Sequence, residues 1–158
     1  SDLEDQHLIP GNKVVTYKIE SITFGFAICY DLRFPELFST MASNCDAIII
    51  IANWPSSRVD HWNALLRARA IENECIVFGV NRIGVDGNKI EYDESSVMVL
   101  PDGSTEAAYF TSPDFSIYEI NRYQVEEYRN NFPTIKDKRY CLYEDILREN
   151  NQRNSNEK

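Results

Sequence analysis

The chain has 158 residues, enough for one domain with a substantial core, and its 43% apolar content is ordinary for a globular protein. Twenty-five acidic against 16 basic side chains leave a net charge of −9, which repels nucleic acid and anionic membrane, and the basic residues form no offsetting stripe. No apolar run reaches membrane-spanning length and no basic segment followed by an apolar one opens the chain, so neither a membrane span nor an export signal is expected.

Along the chain the first strong signal is an apolar strand over 23–29, leading to a helix over 35–43 with Pro35 in its first turn. Phe34, Leu37, Phe38, Met41 and Cys45 fall at helical spacing and give that helix a buried face. The run 47–52, wholly apolar and largely β-branched, reads as a strand covered on both sides. A loop over 53–59 then leads to a helix over 60–73, with Asp60 as its expected N-cap and Leu65, Ala68, Ile71 and Cys75 as its inward stripe. A strand over 76–80 closes this part. Beyond it the pattern changes to hairpins, with 96–100 turning at 101–103 into 106–110, and 116–120 following. A helix is expected over 121–131. Residues 146–158 are polar and Asn-rich without an apolar period, and are expected to be disordered, leaving 1–145 as the domain.

Three successive strands end in polar or reactive residues: Cys29 with Tyr30 and Asp31, Asn53 with Trp54, and Asn81 with Arg82. Ligands of open α/β sheets collect outside the carboxyl ends of the strands, so Cys29, Asn53, Trp54 and Asn81 are expected around one crevice. A thiol there, just ahead of a helix start, is exposed at the lip of the sheet, and the amide dipoles favour its thiolate. The alternative for Cys29 is a small buried hydrophobe. The four cysteines have no Cys-x-x-Cys spacing and no neighbouring histidine pair, so no zinc or dithiol site is expected. Cys45, Cys75 and Cys141 read as reduced, mostly buried thiols of a cytoplasmic protein.

The run CYDLRFPE (29–36) resembles the nucleophile motif of the carbon–nitrogen hydrolase (nitrilase) superfamily. The resemblance continues in order through NWPSSR (53–58), His61 and Trp62, LRARAIEN (66–73) and NRIG (81–84). ANWP (52–55) and GVDGN (84–88) look most like its ω-amidase branch, whose members hydrolyse the terminal amide of 2-oxo-dicarboxylic acid monoamides. The resemblance implies an α/β fold of four layers, an α-β-β-α sandwich. It also implies hydrolysis of a small-molecule amide through a Cys29 thioester, with no metal and no organic cofactor, in a homodimer or larger homo-oligomer. By the same resemblance the Tyr30 N–H holds the oxyanion. The family's lysine and first catalytic glutamate match no residue here, so the chain looks like the carboxyl-terminal part of such a domain, inactive alone. Glu4, in EDQHLIPG (4–11), has the spacing of the family's accessory glutamate, against the alternative of a solvated surface acid. The family's Gly-His-Ser turn is replaced by Asp93, Glu94, Ser95 and Ser96.

Other residues keep two readings each. Trp54 walls the pocket or packs in the core. Arg58 meets a substrate carboxylate through its planar fork or makes a structural ion pair. Arg33 is expected to pair with Asp31, and Arg67, Arg69 and Glu72 to form a structural network or a dimer contact. Phe38, Trp62 and Leu66 lie beyond a single helical stripe, so the helices over 35–43 and 60–73, with the carboxyl-terminal segment, are the expected interface. A Cys-His pair with His7 or His61 is arithmetically possible. The competing functions are another nitrilase-family amidase, a nitrilase or carbamoylase, a non-catalytic assembly piece, and a redox thiol.

Overall fold

A computed structural model describes residue 9 and residues 11–156. A six-stranded mixed sheet runs in the order β1-β2-β3-β4-β7-β8. Its strands are β1 (Thr16–Ile19), β2 (Ile22–Ile28), β3 (Ala47–Ala52), β4 (Ile76–Asn81), β7 (Val97–Val99) and β8 (Thr105–Glu106). β2, β3 and β4 pair in parallel, with Ile28 beside Ile51 and Ile51 beside Val80, while β1, β7 and β8 add antiparallel edges. β5 (Gly84–Val85) with β6 (Glu91–Tyr92), and β9 (Phe110–Thr111) with β10 (Ser116–Ile117), form two small ladders outside the sheet.

Helices α1 (Pro35–Ala42) and α2 (Val59–Asn73) cover one face of this sheet. Their side chains Phe38, Met41, Trp62, Leu66 and Ala70 close on Ala27, Ile48, Ile50, Val77 and Val99. Two strand glycines set the approach. A Cβ at Gly25 would lie within 3 Å of Met41 and Cys45 side-chain atoms, and one at Gly79 within 3 Å of Leu66 and Trp62. Alternation of side chains along each strand makes the opposite face apolar too. Its amino-terminal half is covered, since Ala47, Ile76 and Met98 pack with Tyr118, Ile120 and Val125, the last from α3 (Arg122–Asn131). Its carboxyl-terminal half is open, where Phe26, Ile28, Ile51 and Val80 are 41–63% exposed. Of the four layers expected, the described residues supply one helix layer and one sheet, with a partial cover on the second face.

Several expectations are corrected. α2 begins at Val59, with Arg58 rather than Asp60 at its cap position. Its buried face is Trp62, Leu66, Arg69, Ala70 and Asn73, while Ile71 is exposed; the wide rings and Leu66 fill the slot left by Gly79, which sets the helix in another phase. Phe38, Trp62 and Leu66 are fully buried within the chain, so none is an interface side chain. The 96–100 hairpin pairs Met98 with Glu106 and Val99 with Thr105, and 110–111 pairs with 116–117 instead of extending it. Gly103, at φ +84°, makes that tight turn against Ile71 and Arg67. The polar segment from 146 continues a helix, α4 (Tyr140–Asn156), supported by spaced pairs such as Arg148–Glu144. Cys141 is exposed, not buried. Among the described residues no helix is long and apolar enough to cross a membrane.

Candidate active site

β2 ends at Ile28, and the chain turns at once into a 3₁₀ helix, Cys29–Arg33. The turn forces Cys29 to φ +43°, a left-handed conformation that a residue with a Cβ adopts only when its surroundings hold it there. Two devices hold it. The Asp31 carboxylate accepts the Ile28 N–H at 2.9 Å. From α2, the buried Arg69 guanidinium donates twice to the Leu32 carbonyl, at 2.8 and 3.2 Å, while its remaining nitrogen meets Glu72 at 2.9 Å. Arg69 and Glu72 therefore form an internal brace on the Cys29 turn. Cys29 is half-buried, and Tyr30 stands 64% exposed as the second residue of the turn, where a helix's first N–H groups have no acceptor within the helix.

The ends of β3 and β4 lie alongside. Asn53 is exposed and Trp54 is 4% exposed. The Trp54 indole donates to the Arg58 carbonyl at 2.7 Å and packs 5.4 Å from the Trp62 ring. The backbone of Arg58 thus fixes the indole while its side chain is exposed. Arg33 does not pair with Asp31, whose carboxylate is engaged by Ile28. Its guanidinium lies 4.7 Å over the Trp54 ring and 6.0 Å from that of Tyr30, an aromatic seat suited to its weak hydration. Among the described residues, neither Arg33 nor Arg58 has a carboxylate within ion-pair distance.

Three residues do more in this region than the sequence reading assigns them. Arg69 is expected to join a structural network with Arg67 and Glu72, and it does pair with Glu72, while Arg67 is exposed and the two bonds from Arg69 to the Leu32 carbonyl lie beyond that expectation. Tyr92 is buried, donates its hydroxyl to Asp86 at 2.9 Å and lies under Arg82 at 4.8 Å. The hydrogen bond to Asp86 raises the Tyr92 hydroxyl above its ordinary range, and the N–H groups of Ile90 and Asn88 with the Tyr92 hydroxyl hold Asp86 below its own. Ser95, in the turn that departs from the family pattern, accepts from the Asn81 carboxamide at 3.0 Å. That carboxamide is 7% exposed for its residue and also binds the backbone of Trp54. Glu4 and His7 lie outside the described residues, and His61 is exposed on α2. Among the described residues no group of three or more His, Cys, Asp or Glu is gathered as metal ligands. The other thiols differ sharply. Burial pushes Cys45 up to about 11 and Cys75 up to about 12.

The carbon-nitrogen hydrolase family model matches residues 1–130. A hydrolase in the agr operon of Staphylococcus aureus is 43% identical over 73% of this chain and 44% of its own length. The omega-amidase YafV of Escherichia coli K12 is 41% identical over 70% of this chain and 43% of its own. The crystal structure of XC1258 from Xanthomonas campestris, a CN-hydrolase superfamily protein with an arsenic adduct in its active site, is similar at a TM-score of 0.74 and 31% identity. It covers 85% of this chain and 54% of that one. The chain spans less than half the length of those two curated relatives.

Proposed function

This chain belongs to the carbon-nitrogen hydrolase family, and from that premise we propose that it carries the nucleophile half of an amidase site. The substrate in this reading is a small carboxylic acid monoamide, hydrolysed at its terminal amide through a thioester on Cys29. The observation that carries it is the left-handed Cys29 at the end of a central parallel strand. The name of the omega-amidase relative supports the substrate class.

The steps balance as follows. A carboxylate takes the Cys29 proton and the sulfur attacks the amide carbon. The Tyr30 N–H receives the negative charge that develops on the carbonyl oxygen. The C–N bond breaks as the proton passes to nitrogen, ammonia leaves, and an acyl thioester remains. Water, deprotonated by a carboxylate, attacks that thioester, and the carboxylic acid and the free thiol are regenerated. Glu4 is assigned to positioning the amide or the water. Asn53 and Trp54 wall the substrate, and Arg58 receives its carboxylate. The base and the lysine that complete such a site come from outside residues 1–158. The open apolar strip of Phe26, Ile28, Ile51 and Val80 supports this, since it ends beside Cys29 and needs a second layer to exclude water.

A homo-oligomer remains part of this reading, through surfaces other than Phe38, Trp62 and Leu66. The exposed Leu142, Tyr143, Ile146 and Leu147 of α4 suit such a contact. A cytoplasmic location also belongs to it.

Ammonia release from a 2-oxo-dicarboxylic monoamide, with a trapped acyl adduct located by mass spectrometry, is the test. The expected adduct lies on Cys29 in the protein with its flanking segments, and residues 1–158 alone show no turnover. Turnover by residues 1–158 alone, or an adduct on another cysteine, would overturn the assignment and revive a Cys-His mechanism.

A further inference from the structure

Register places Asn81 opposite Ala52 as the last pair of the β3–β4 ladder, one residue before β3 leaves the sheet at Asn53. Beyond that point the ladder continues through a side chain. The Asn81 carboxamide oxygen accepts the Trp54 N–H at 2.7 Å, and its nitrogen donates to the Trp54 carbonyl at 2.9 Å. One side chain thus makes both bonds that a neighbouring strand residue would make. Its second amide hydrogen goes to Ser95 Oγ at 3.0 Å. Its main-chain N–H donates to Ser96 Oγ at 3.0 Å, and the Ser96 hydroxyl donates to the Asn81 carbonyl at 3.2 Å. This set demands an acceptor and two donors on one short planar group, which among side chains of this length only asparagine offers.

We propose that Asn81 is a positioning residue for the Cys29 site, acting through Trp54. Fixing the Trp54 backbone at β4 and its indole at Arg58 leaves the ring one orientation, and that ring is the seat of the Arg33 guanidinium at the far end of the Cys29 turn. The clamp therefore ties the three strand ends together. Released, Trp54 and Arg33 move relative to the thiol, and a displacement of about 1 Å near a reacting group costs on the order of a hundredfold in rate. The Asp93–Ser96 turn supplies, through Ser95 and Ser96, the two hydroxyls that lock Asn81 in place, which gives that turn a purpose in this chain.

The kinetic part of the test rests on the amidase reading; the optical part does not. Asn81→Ala and the near-isosteric Asn81→Asp are compared in the protein with any flanking segments in place. Asn81→Asp keeps the acceptor for the Trp54 N–H but sets an oxygen against the Trp54 carbonyl. The expected result is a fall of about a hundredfold in kcat/KM, mostly in kcat, in both variants. Each also shows a changed emission spectrum, because Trp54 and Trp62 are the two tryptophans of the chain. Combining Asn81→Ala with Trp54→Phe should cost no more than the worse single change, since both act on one unit. Unchanged emission in a folded variant, or losses that multiply in the double variant, would overturn the proposal. If the unaltered protein hydrolyses no amide, the amidase reading fails and the emission of the two variants still decides on the clamp.

Discussion

The two ends of the parallel strands β2, β3 and β4 are both rich in polar groups, and they use them in opposite ways. At the amino ends most of these groups close on one another. Asp46 accepts the Thr23 N–H at 2.8 Å, and Arg129 reaches from α3 to the carbonyls of Glu74 and Cys45 at 2.9 and 2.8 Å. The buried Glu74 carboxylate accepts the Thr134 hydroxyl and the Ile135 N–H, while Lys138 bridges Asn73 and Ser39. At the carboxyl ends a cysteine is held in a left-handed turn, two arginines have no carboxylate among the described residues, and an apolar strip lies open. Saturated polar groups fasten the fold, and unsaturated ones beside a constrained thiol are available for a ligand.

The contrast is broken most severely at the thiol. Cys29→Ser should lower amide turnover of the complete protein at least about 10³-fold, because the alkoxide is far harder to form than the thiolate. Its thermal midpoint should stay close to that of the unaltered protein. A comparable loss of both would place Cys29 with the fold instead of the chemistry.

Next in size is Leu66→Ala, which empties a fully buried site against Gly79 and should cost about 3 kcal/mol. Denaturant unfolding reads the loss, and light scattering should give an unchanged mass. A shift toward monomer without loss of stability would restore Leu66 to an interface. At the amino ends, Arg129→Ala strips charged donors from the Glu74 and Cys45 carbonyls and should cost about 2 kcal/mol. Labelling of Cys29 should not change in that variant, whose effect belongs to the other end.

The smallest effect is one of pH. Cys45 and Cys75 ionise in the fold only near about 11 and about 12, against an ordinary value near 9. A raised folded pKa gives stability that is complete below the unfolded pKa and is lost as pH climbs toward the folded one. Thermal midpoints should therefore fall from about pH 9 upward. Cys75→Ala should reduce that slope; an identical slope would remove the buried thiol as its cause.

The three central strands are legible in the sequence because β2, β3 and β4 are apolar runs ended by polar residues, whereas their order in the sheet comes from the structure. The same property hid the phase of α2: Leu65, Ala68 and Ile71 form as regular a stripe as Trp62, Leu66 and Ala70. Only the space above Gly79 selects the second. At the candidate site, Cys29, Asn53 and Trp54 were legible as strand ends. The Arg69–Glu72 network was legible from its spacing on one helix, but its target on the Leu32 carbonyl was not, nor was Ser95 on Asn81, since both partners are distant in sequence. Arg33 was misassigned to Asp31 because sequence proximity favours that pair, whereas the Ile28 N–H claims the carboxylate first. The helix beyond 146 was missed because its support is intrahelical charge pairing, which leaves no apolar period.

Limiting iodoacetamide, followed by mass spectrometry of the four cysteine peptides, tests the special status of Cys29 most directly. Cys141 is the proper control, because it is exposed and simple accessibility would label it first, while Cys45 and Cys75 are buried. The account predicts that half-buried Cys29 is modified ahead of Cys141, with Cys45 and Cys75 unlabelled in the folded protein. Labelling in order of exposure, with Cys141 first and Cys29 no faster than its accessibility allows, would contradict it.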